Sequence, residues 1–216
     1  MRVFLVSIAL AVLLSGCVVN GLKPNQKIPA SPYKSWSLAL VCSPALLADI
    51  PVSNNKLEAF HAAFVGFGQS LGSQNVAIWF VTDAPRPAYD GERAADFCIR
   101  YHLKSSDSPY IVVTTNYPGT DGDQPDYSAV PLAGLDEKHV FSLMGDISDK
   151  VRNADLSPGS LESKVFWERF SQVLSDASDG GKKILKGASI EIKTQWGNTE
   201  INGKLDGAKI VGSLQR

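Results

Sequence analysis

Three continuous apolar runs limit the fold more than any other feature of this chain. Residues 75–82 read Asn-Val-Ala-Ile-Trp-Phe-Val-Thr, and residues 110–115 and 36–42 are similarly apolar. Strands with apolar side chains on both faces suit the centre of a sheet that is covered by helices on both sides. The chain is therefore predicted to form an α/β structure with a helix-covered sheet.

Segments with helical periodicity separate these runs. The spacing predicts four helices. Asp90 is the predicted N-cap of the second helix, and Ser157-Pro158 has the pattern of an N-cap followed by a first-turn proline at the start of the fourth. The order strand, helix, strand, helix, strand predicts parallel pairing with right-handed crossovers up to residue 115. The apolar positions recur every three or four residues: Leu57, Phe60, Phe64, Phe67 and Leu71; Ala94, Phe97, Cys98 and Tyr101; Val140, Leu143, Met144, Ile147 and Val151; and Leu161, Val165, Phe166, Phe170, Val173, Leu174 and Ala177.

The remaining strands are predicted to be antiparallel. Residues 127–133 look extended and follow a polar loop, so an antiparallel neighbour is the simplest interpretation. Residues 190–196 alternate apolar with polar side chains, and Asn202-Gly203 is a strong hairpin-turn signal. Residues 208–214 could add a further strand. The chain end is therefore predicted to be a small antiparallel extension, whose edge could accept a partner strand.

The amino terminus has the three-part layout of a secretory signal. Met1 and Arg2 give a positive start, residues 3–14 are almost wholly apolar, and Leu14-Ser15-Gly16-Cys17 follows. This tetrapeptide resembles the lipobox of bacterial lipoproteins. The resemblance implies cleavage before Cys17, acylation of that residue with chains such as palmitate, and a membrane anchor. Val18 stands where aspartate would favour the inner membrane, so we expect an outer-membrane protein facing the periplasm.

Domain boundaries follow from these signals. We expect a signal peptide over residues 1–16, a lipidated cysteine and flexible tether over 17–34, an α/β domain over 35–182 and a β-rich extension over 183–216. The tether is inferred from Pro24, Pro29 and Pro32 among polar residues without periodicity.

Charge and cysteine content narrow the function classes. The formal net charge is −1, which argues against a nucleic-acid surface, because phosphates are bound chiefly through clustered Lys and Arg. With Cys17 acylated, Cys42 and Cys98 remain as an even pair in an oxidising compartment, which favours a disulfide. Two buried, unpaired thiols are the alternative.

Residues 36–152 resemble the thioredoxin-like fold, in element order and in Asp107-Ser108-Pro109 directly before a Tyr-Ile-Val-Val strand. The resemblance implies a three-layer sandwich with a mixed sheet, and a cis Pro109 beside the family's active site. Redox members of the family use two cysteines separated by two residues, but Cys42-Ser43-Pro44-Ala45 has alanine at the second position. A two-cysteine oxidoreductase is therefore not expected.

Other catalytic patterns lack the context that their chemistry needs. Gly68-Gln69-Ser70-Leu71-Gly72 matches a nucleophile elbow, but a helix precedes it, so we expect Ser70 in a helix end capped by Gly72. No metal site or cofactor is expected. The histidines are isolated in sequence, and the acidic loop departs from a calcium-binding pattern at Asp126 and Leu132. The candidate ligands are His61, His102 and His139, and Asp121, Asp123 and Asp126.

These observations predict a non-enzymatic, lipid-anchored module that binds protein partners in an envelope assembly. The alternative is a thioredoxin-like thiol enzyme that uses the single cysteine Cys42 near Pro109. A small ligand bound in a cleft at the sheet is a third possibility.

Overall fold

The computed structural model describes residues 19–30, 32–42, 55–122, 127–133, 135, 137–152, 189–196 and 199–206. These residues contain seven strands, three α-helices and one short 3-10 helix at Ser105–Asp107. In chain order the strands and α-helices are β1 (Val19–Leu22), β2 (Ser35–Leu40), α1 (Asn55–Ser70), β3 (Asn75–Phe80), α2 (Gly91–Arg100), β4 (Tyr110–Thr114), β5 (Tyr127–Pro131), α3 (Glu137–Arg152), β6 (Ser189–Trp196) and β7 (Thr199–Asp206).

The strands form one mixed sheet in the order β1-β3-β2-β4-β5-β6-β7. β1, β3 and β2 are mutually parallel, whereas β4, β5, β6 and β7 each pair antiparallel with the strand before them in that order. Every residue of β2, β3, β4 and β5 is buried. The predicted α/β class, with central strands covered on both faces, is therefore confirmed.

Helices cover both faces of the sheet. One face packs against the apolar sides of α1 and α3, in a cluster that includes Phe64, Trp79 and Met144. The other face packs against α2 and against Leu22 and Ile28 from the amino-terminal segment. The apolar faces predicted for these three helices all lie in the two clusters. The helix predicted after Ser157 and the strand predicted at 208–214 lie outside the described residues.

Local signals account for the helix ends. The Oδ1 of Asp90 accepts a hydrogen bond from the backbone N–H of Arg93 at 3.0 Å, which confirms Asp90 as the N-cap of α2. Gly72 lies two residues beyond α1 and has a φ of +80°, the left-handed conformation that glycine adopts without a Cβ clash. The connection from α1 to β3 therefore reverses the chain within four residues.

The amino-terminal segment differs from the expected tether. Residues 19–22 form β1, an edge strand beside β3 with Val19 opposite Ala77. Leu22 and Ile28 are buried, so residues 19–30 are part of the folded domain. Four residues with no alternation gave no sequence signal for a strand; ladder pairing with β3 stabilises them.

The third buried strand also differs from expectation, since β4 runs antiparallel to β2. Tyr110 lies opposite Leu40, at the carboxyl end of β2. The Cys42–Cys98 bond places the last turn of α2 near the carboxyl end of β2, and residues 101–109 lead through a short 3-10 helix into β4 from that end. β5 is the antiparallel neighbour that the sequence predicts.

The hairpin near the carboxyl end has a different turn from the predicted one. Asn202 and Gly203 lie inside β7, paired with Lys193 and Ile192. Trp196 lies opposite Thr199, so residues 197–198 (Gly-Asn) connect the strands. A Gly-Asn pair is itself a two-residue turn signal, and it competes with Asn-Gly in this segment. β6 pairs with β5 and so extends the main sheet.

Within the described ranges, no helix is both long enough and apolar enough to cross a bilayer.

Candidate functional site at the carboxyl end of β2

Cys42 lies two residues beyond β2 and is bonded to Cys98 of α2. Their sulfur atoms are 2.22 Å apart and their Cα atoms 5.6 Å apart. Cys98 is buried, with 5% of its surface exposed, whereas Cys42 is half-buried. The predicted disulfide between Cys42 and Cys98 is thus present in the structure, and it joins residues that are 56 positions apart in the sequence.

Ser108 and Pro109 lie against the same loop. The backbone N–H of Cys42 donates a hydrogen bond to Ser108 Oγ at 2.9 Å. The Ser108-Pro109 peptide bond is cis, and the carbonyl oxygen of Pro109 accepts from the backbone N–H of Leu132 at 2.8 Å. The structure therefore brings Cys42, Cys98 and Pro109, all named from the sequence, to one end of the sheet.

A partly buried tyrosine, Tyr89, supports this end of β2, and no sequence pattern singles it out. Tyr89 Oη accepts from the backbone N–H of Val41 at 2.9 Å and donates to the carbonyl oxygen of Ala39 at 3.0 Å. Its ring packs against Trp79 with centroids 4.8 Å apart. Burial raises the pKa of Tyr89 above its ordinary value, so the hydroxyl stays protonated and can donate. Tyr89 therefore positions the backbone that leads into Cys42.

A second feature is an open cleft of about 850 Å³ on the α2 face. Its walls are the segment 24–28, the exposed side of α2, and the loop after β4 at Tyr117 to Asp121. Arg93, Arg100 and Lys27 contribute positive charge; the acidic side chains that line it are Asp90, Glu92, Asp96 and Asp121. This mixture of signs gives the cleft no strong preference for an anion or a cation.

Hydrogen bonds fix the wall of this cleft. The guanidinium of Arg93 donates to the carbonyl oxygens of Lys23 and Gln26, the latter at 2.9 Å. Tyr117 Oη donates to the carbonyl oxygen of Ile28 at 2.7 Å, and Trp36 Nε1 donates to that of Pro29 at 2.8 Å. A Cβ on Gly119 would collide with the Tyr117 ring, so glycine is needed for this approach. The segment after β1 is therefore held at several points.

The other candidate residues are separated. His61 lies on α1 against the Trp79 ring, where burial lowers its pKa; His102 follows α2, and His139 lies on α3. Across the described part of the chain, no three His, Cys, Asp or Glu side chains form a group that could hold a metal ion. The Oδ1 of Asp121 lies 3.7 Å from Nη2 of Arg100. The other candidate residues, Asp123, Asp126 and Cys17, fall outside the described residues.

Ser70 lies at the end of a helix, as the sequence predicts. It is the last residue of α1, and its Oγ donates to the carbonyl oxygen of Phe67 at 2.8 Å. A nucleophile elbow needs a strand before the serine and a helix after it, whereas β3 comes after Ser70 here. This Gly-x-Ser-x-Gly pattern is therefore a helix ending.

Comparison with known proteins found no matching family model, no similar curated protein and no similar solved structure. The functional argument consequently depends on the residues of this chain.

With Cys42 and Cys98 joined, neither sulfur is a thiolate that could attack a substrate. The disulfide joins the segment after β2 to α2, and the hydrogen bond from Cys42 to Ser108 attaches the loop before β4 at the same end of the sheet. This end can present a fixed surface, and any thiol chemistry at Cys42 requires that the bond first be reduced.

Proposed function

We propose that this chain is a lipid-anchored module of the bacterial envelope, attached to the outer membrane through acylated Cys17. Its domain faces the periplasm and binds protein partners without catalysing a reaction. The pairing of Cys42 with Cys98 is the observation that carries this proposal. Disulfides persist in oxidising compartments, and this one leaves Cys17 as the only cysteine outside a bond.

The position of β1 supports processing at Cys17. β1, the first described strand, begins at Val19, so a mature chain that starts at Cys17 would keep every described element. Several acyl chains on that cysteine exceed the two signals that stable anchoring requires. Residues 1–16 then serve export alone.

We propose a thioredoxin-like fold for the domain. The mixed sheet with α1 and α3 on one face and α2 on the other is compatible with that fold. Ser108-Pro109 precedes β4 and lies beside Cys42, which is the arrangement that the resemblance implies.

The free edge of the sheet is the proposed partner surface. β7 ends the strand order, and among the described residues no strand pairs with its outer side. An edge strand offers backbone N–H and C=O groups to an added strand, which is a common mode of peptide recognition. Binding of this kind needs no catalytic group.

Photocrosslinking in cells tests this function. A photoreactive residue at Lys204 of β7 is compared with one at Ser105, which is exposed at the Cys42 end of the sheet. We expect discrete crosslinked species from position 204 and none from position 105. The absence of adducts from every β7 position, in protein that is folded and membrane-bound, would contradict the proposal.

One observation favours a second function, a thiol enzyme that uses Cys42. The half-buried Cys42 lies against Ser108 at the carboxyl end of the central strands, where the resemblance implies an active site. Trapping thiols in acid-quenched cells separates the two functions. A reactive Cys42 thiol in a substantial fraction of the protein would support the enzyme, and a fully closed pair would support the binding module.

A further inference from the structure

The distance between Cys17 and β1 limits where the domain can lie. β1 begins at Val19, two residues after Cys17, and two residues span at most about 7 Å. An acylated Cys17 lies at the bilayer surface, because its chains are in the hydrocarbon. No spacer then separates the first strand from the lipid headgroups. The inference below rests on the proposed acylation.

The sheet topology identifies the end that is close to the lipid. β1 is parallel to β3, and β3 is parallel to β2, so the amino ends of all three strands lie at one end of the sheet. Thr114, the last residue of β4, lies opposite Trp36 at the same end. We call this the amino end of the sheet.

Exposed polar side chains lie on the loops at the amino end. Ser73 and Gln74 are exposed in the turn before β3, and the backbone N–H of Lys34 donates to the carbonyl oxygen of Gln74 at 2.7 Å. Arg152 also lies here, because a Cβ on Gly72 would be 3.8 Å from Arg152 Cγ. Lys34 is exposed here, and the Arg152 guanidinium is paired with Asp149 at 2.6 Å, so this end offers polar groups and one exposed lysine to the lipid headgroups.

The opposite end of the sheet carries Cys42, Cys98 and Ser108. β2 runs from the amino end to within two residues of Cys42, and its six residues span about 17 Å. We propose that the amino end of the sheet rests on the membrane surface, so that the Cys42–Cys98 end is held away from the membrane and faces the periplasm. The interacting surface is the lipid headgroup layer.

Labelling of single added cysteines tests this orientation. Ser73→Cys places a thiol at the amino end, and Ser105→Cys places one at the opposite end; both serines are exposed. The acylated full-length mature protein is bound to vesicles of phosphatidylcholine and phosphatidylglycerol, and the rate of reaction with a polyethylene-glycol maleimide is measured. We expect the Ser73→Cys thiol to react several-fold more slowly on vesicles than in detergent, and the Ser105→Cys thiol to react equally in both.

A linker variant provides the matched control. Insertion of about twelve Gly and Ser residues between Val18 and Val19 gives a root-mean-square span of about 19 Å. This insertion should restore fast labelling at position 73. If vesicle binding slows the labelling of positions 73 and 105 to the same extent, or slows neither, in protein that sediments with the vesicles, the orientation alone is overturned. Failure to sediment with the vesicles would instead overturn the acylation, and the orientation with it.

Discussion

Arg93 Nη2 donates a hydrogen bond to the backbone carbonyl oxygen of Gln26 at 2.9 Å, and so joins α2 to the segment that follows β1. The same guanidinium donates to the carbonyl oxygen of Lys23 and lies 4.9 Å from the centre of the Phe80 ring. A residue in the middle of the chain thus holds residues that look like a linker in the sequence.

Replacement of Arg93 should loosen this segment. In Arg93→Met, two carbonyl oxygens lose a charged donor, and hydrogen bonds of that kind contribute about 1.5–3 kcal/mol each. Because Arg93 is only partly buried, we expect the lower end of that range for the whole change in the free energy of unfolding, measured by urea denaturation. Hydrogen exchange at residues 19–30 should speed up. Arg86→Met, at an exposed arginine, is the control and should change neither quantity.

The Cys42–Cys98 bond should account for a large part of the stability. On the chain-entropy model, a cross-link over this sequence separation contributes about 4 kcal/mol. Addition of a reductant should therefore lower the free energy of unfolding of the wild-type domain by about that amount. The double variant Cys42→Ser/Cys98→Ser should be insensitive to the reductant. Detection of two free thiols in the unreduced, denatured domain would show that the bond is absent.

Tyr89, which is partly buried, and Tyr101, which is fully buried, provide a matched test of hydrogen bonding by a tyrosine hydroxyl. Tyr89→Phe leaves the Val41 N–H and the Ala39 carbonyl oxygen without this partner, and should destabilise the domain by about 1–3 kcal/mol. Tyr101 Oη is buried and has no hydrogen-bond partner among the described residues, so Tyr101→Phe should be neutral or stabilising. Thermal and urea unfolding of both variants measure the difference. Equal destabilisation by the two substitutions would contradict the assigned bonding.

The same tyrosines predict loss of stability at high pH. Burial raises the pKa of both Tyr89 and Tyr101 above the ordinary value near 10.0. A group whose pKa is raised by folding binds its proton more tightly in the folded state. Its contribution to the free energy of unfolding is therefore complete below the pKa of the unfolded state and decreases above that pKa. The free energy of unfolding should therefore fall as the pH rises above about 10, where unfolded tyrosine ionises. The fall should be shallower in the double variant Tyr89→Phe/Tyr101→Phe, and an unchanged slope would contradict this assignment.

The sequence predicts the centre of this fold better than its edges. Apolar runs predict β2, β3 and β4, because these strands are buried between the two helical layers. Helical spacing predicts the three helices, because each packs one apolar face on the sheet. β1 has no such pattern; pairing with β3 stabilises it, and Arg93 holds the segment that follows it, and these are tertiary interactions. The direction of β4 depends on the path of residues 101–109, which periodicity does not report.

The candidate site also contains some residues that the sequence predicts and others that only tertiary contacts reveal. The sequence alone identifies three of the site residues, Cys42, Cys98 and Pro109. An even number of remaining cysteines and a proline directly before a strand can both be recognised without a structure. Tyr89 and Arg93 cannot be recognised in this way, since each acts by reaching backbone atoms that are 48 or more residues away in sequence. A lone tyrosine or arginine carries no signal for such a contact.

Acylation of Cys17 is the central claim, and the intact mass of the mature protein from membranes tests it most directly. The account predicts a chain that begins at Cys17 and carries the added mass of its acyl chains, and loss of membrane fractionation in Cys17→Ser. An unmodified amino terminus, or a Cys17→Ser variant that fractionates with membranes as the wild type does, would contradict it.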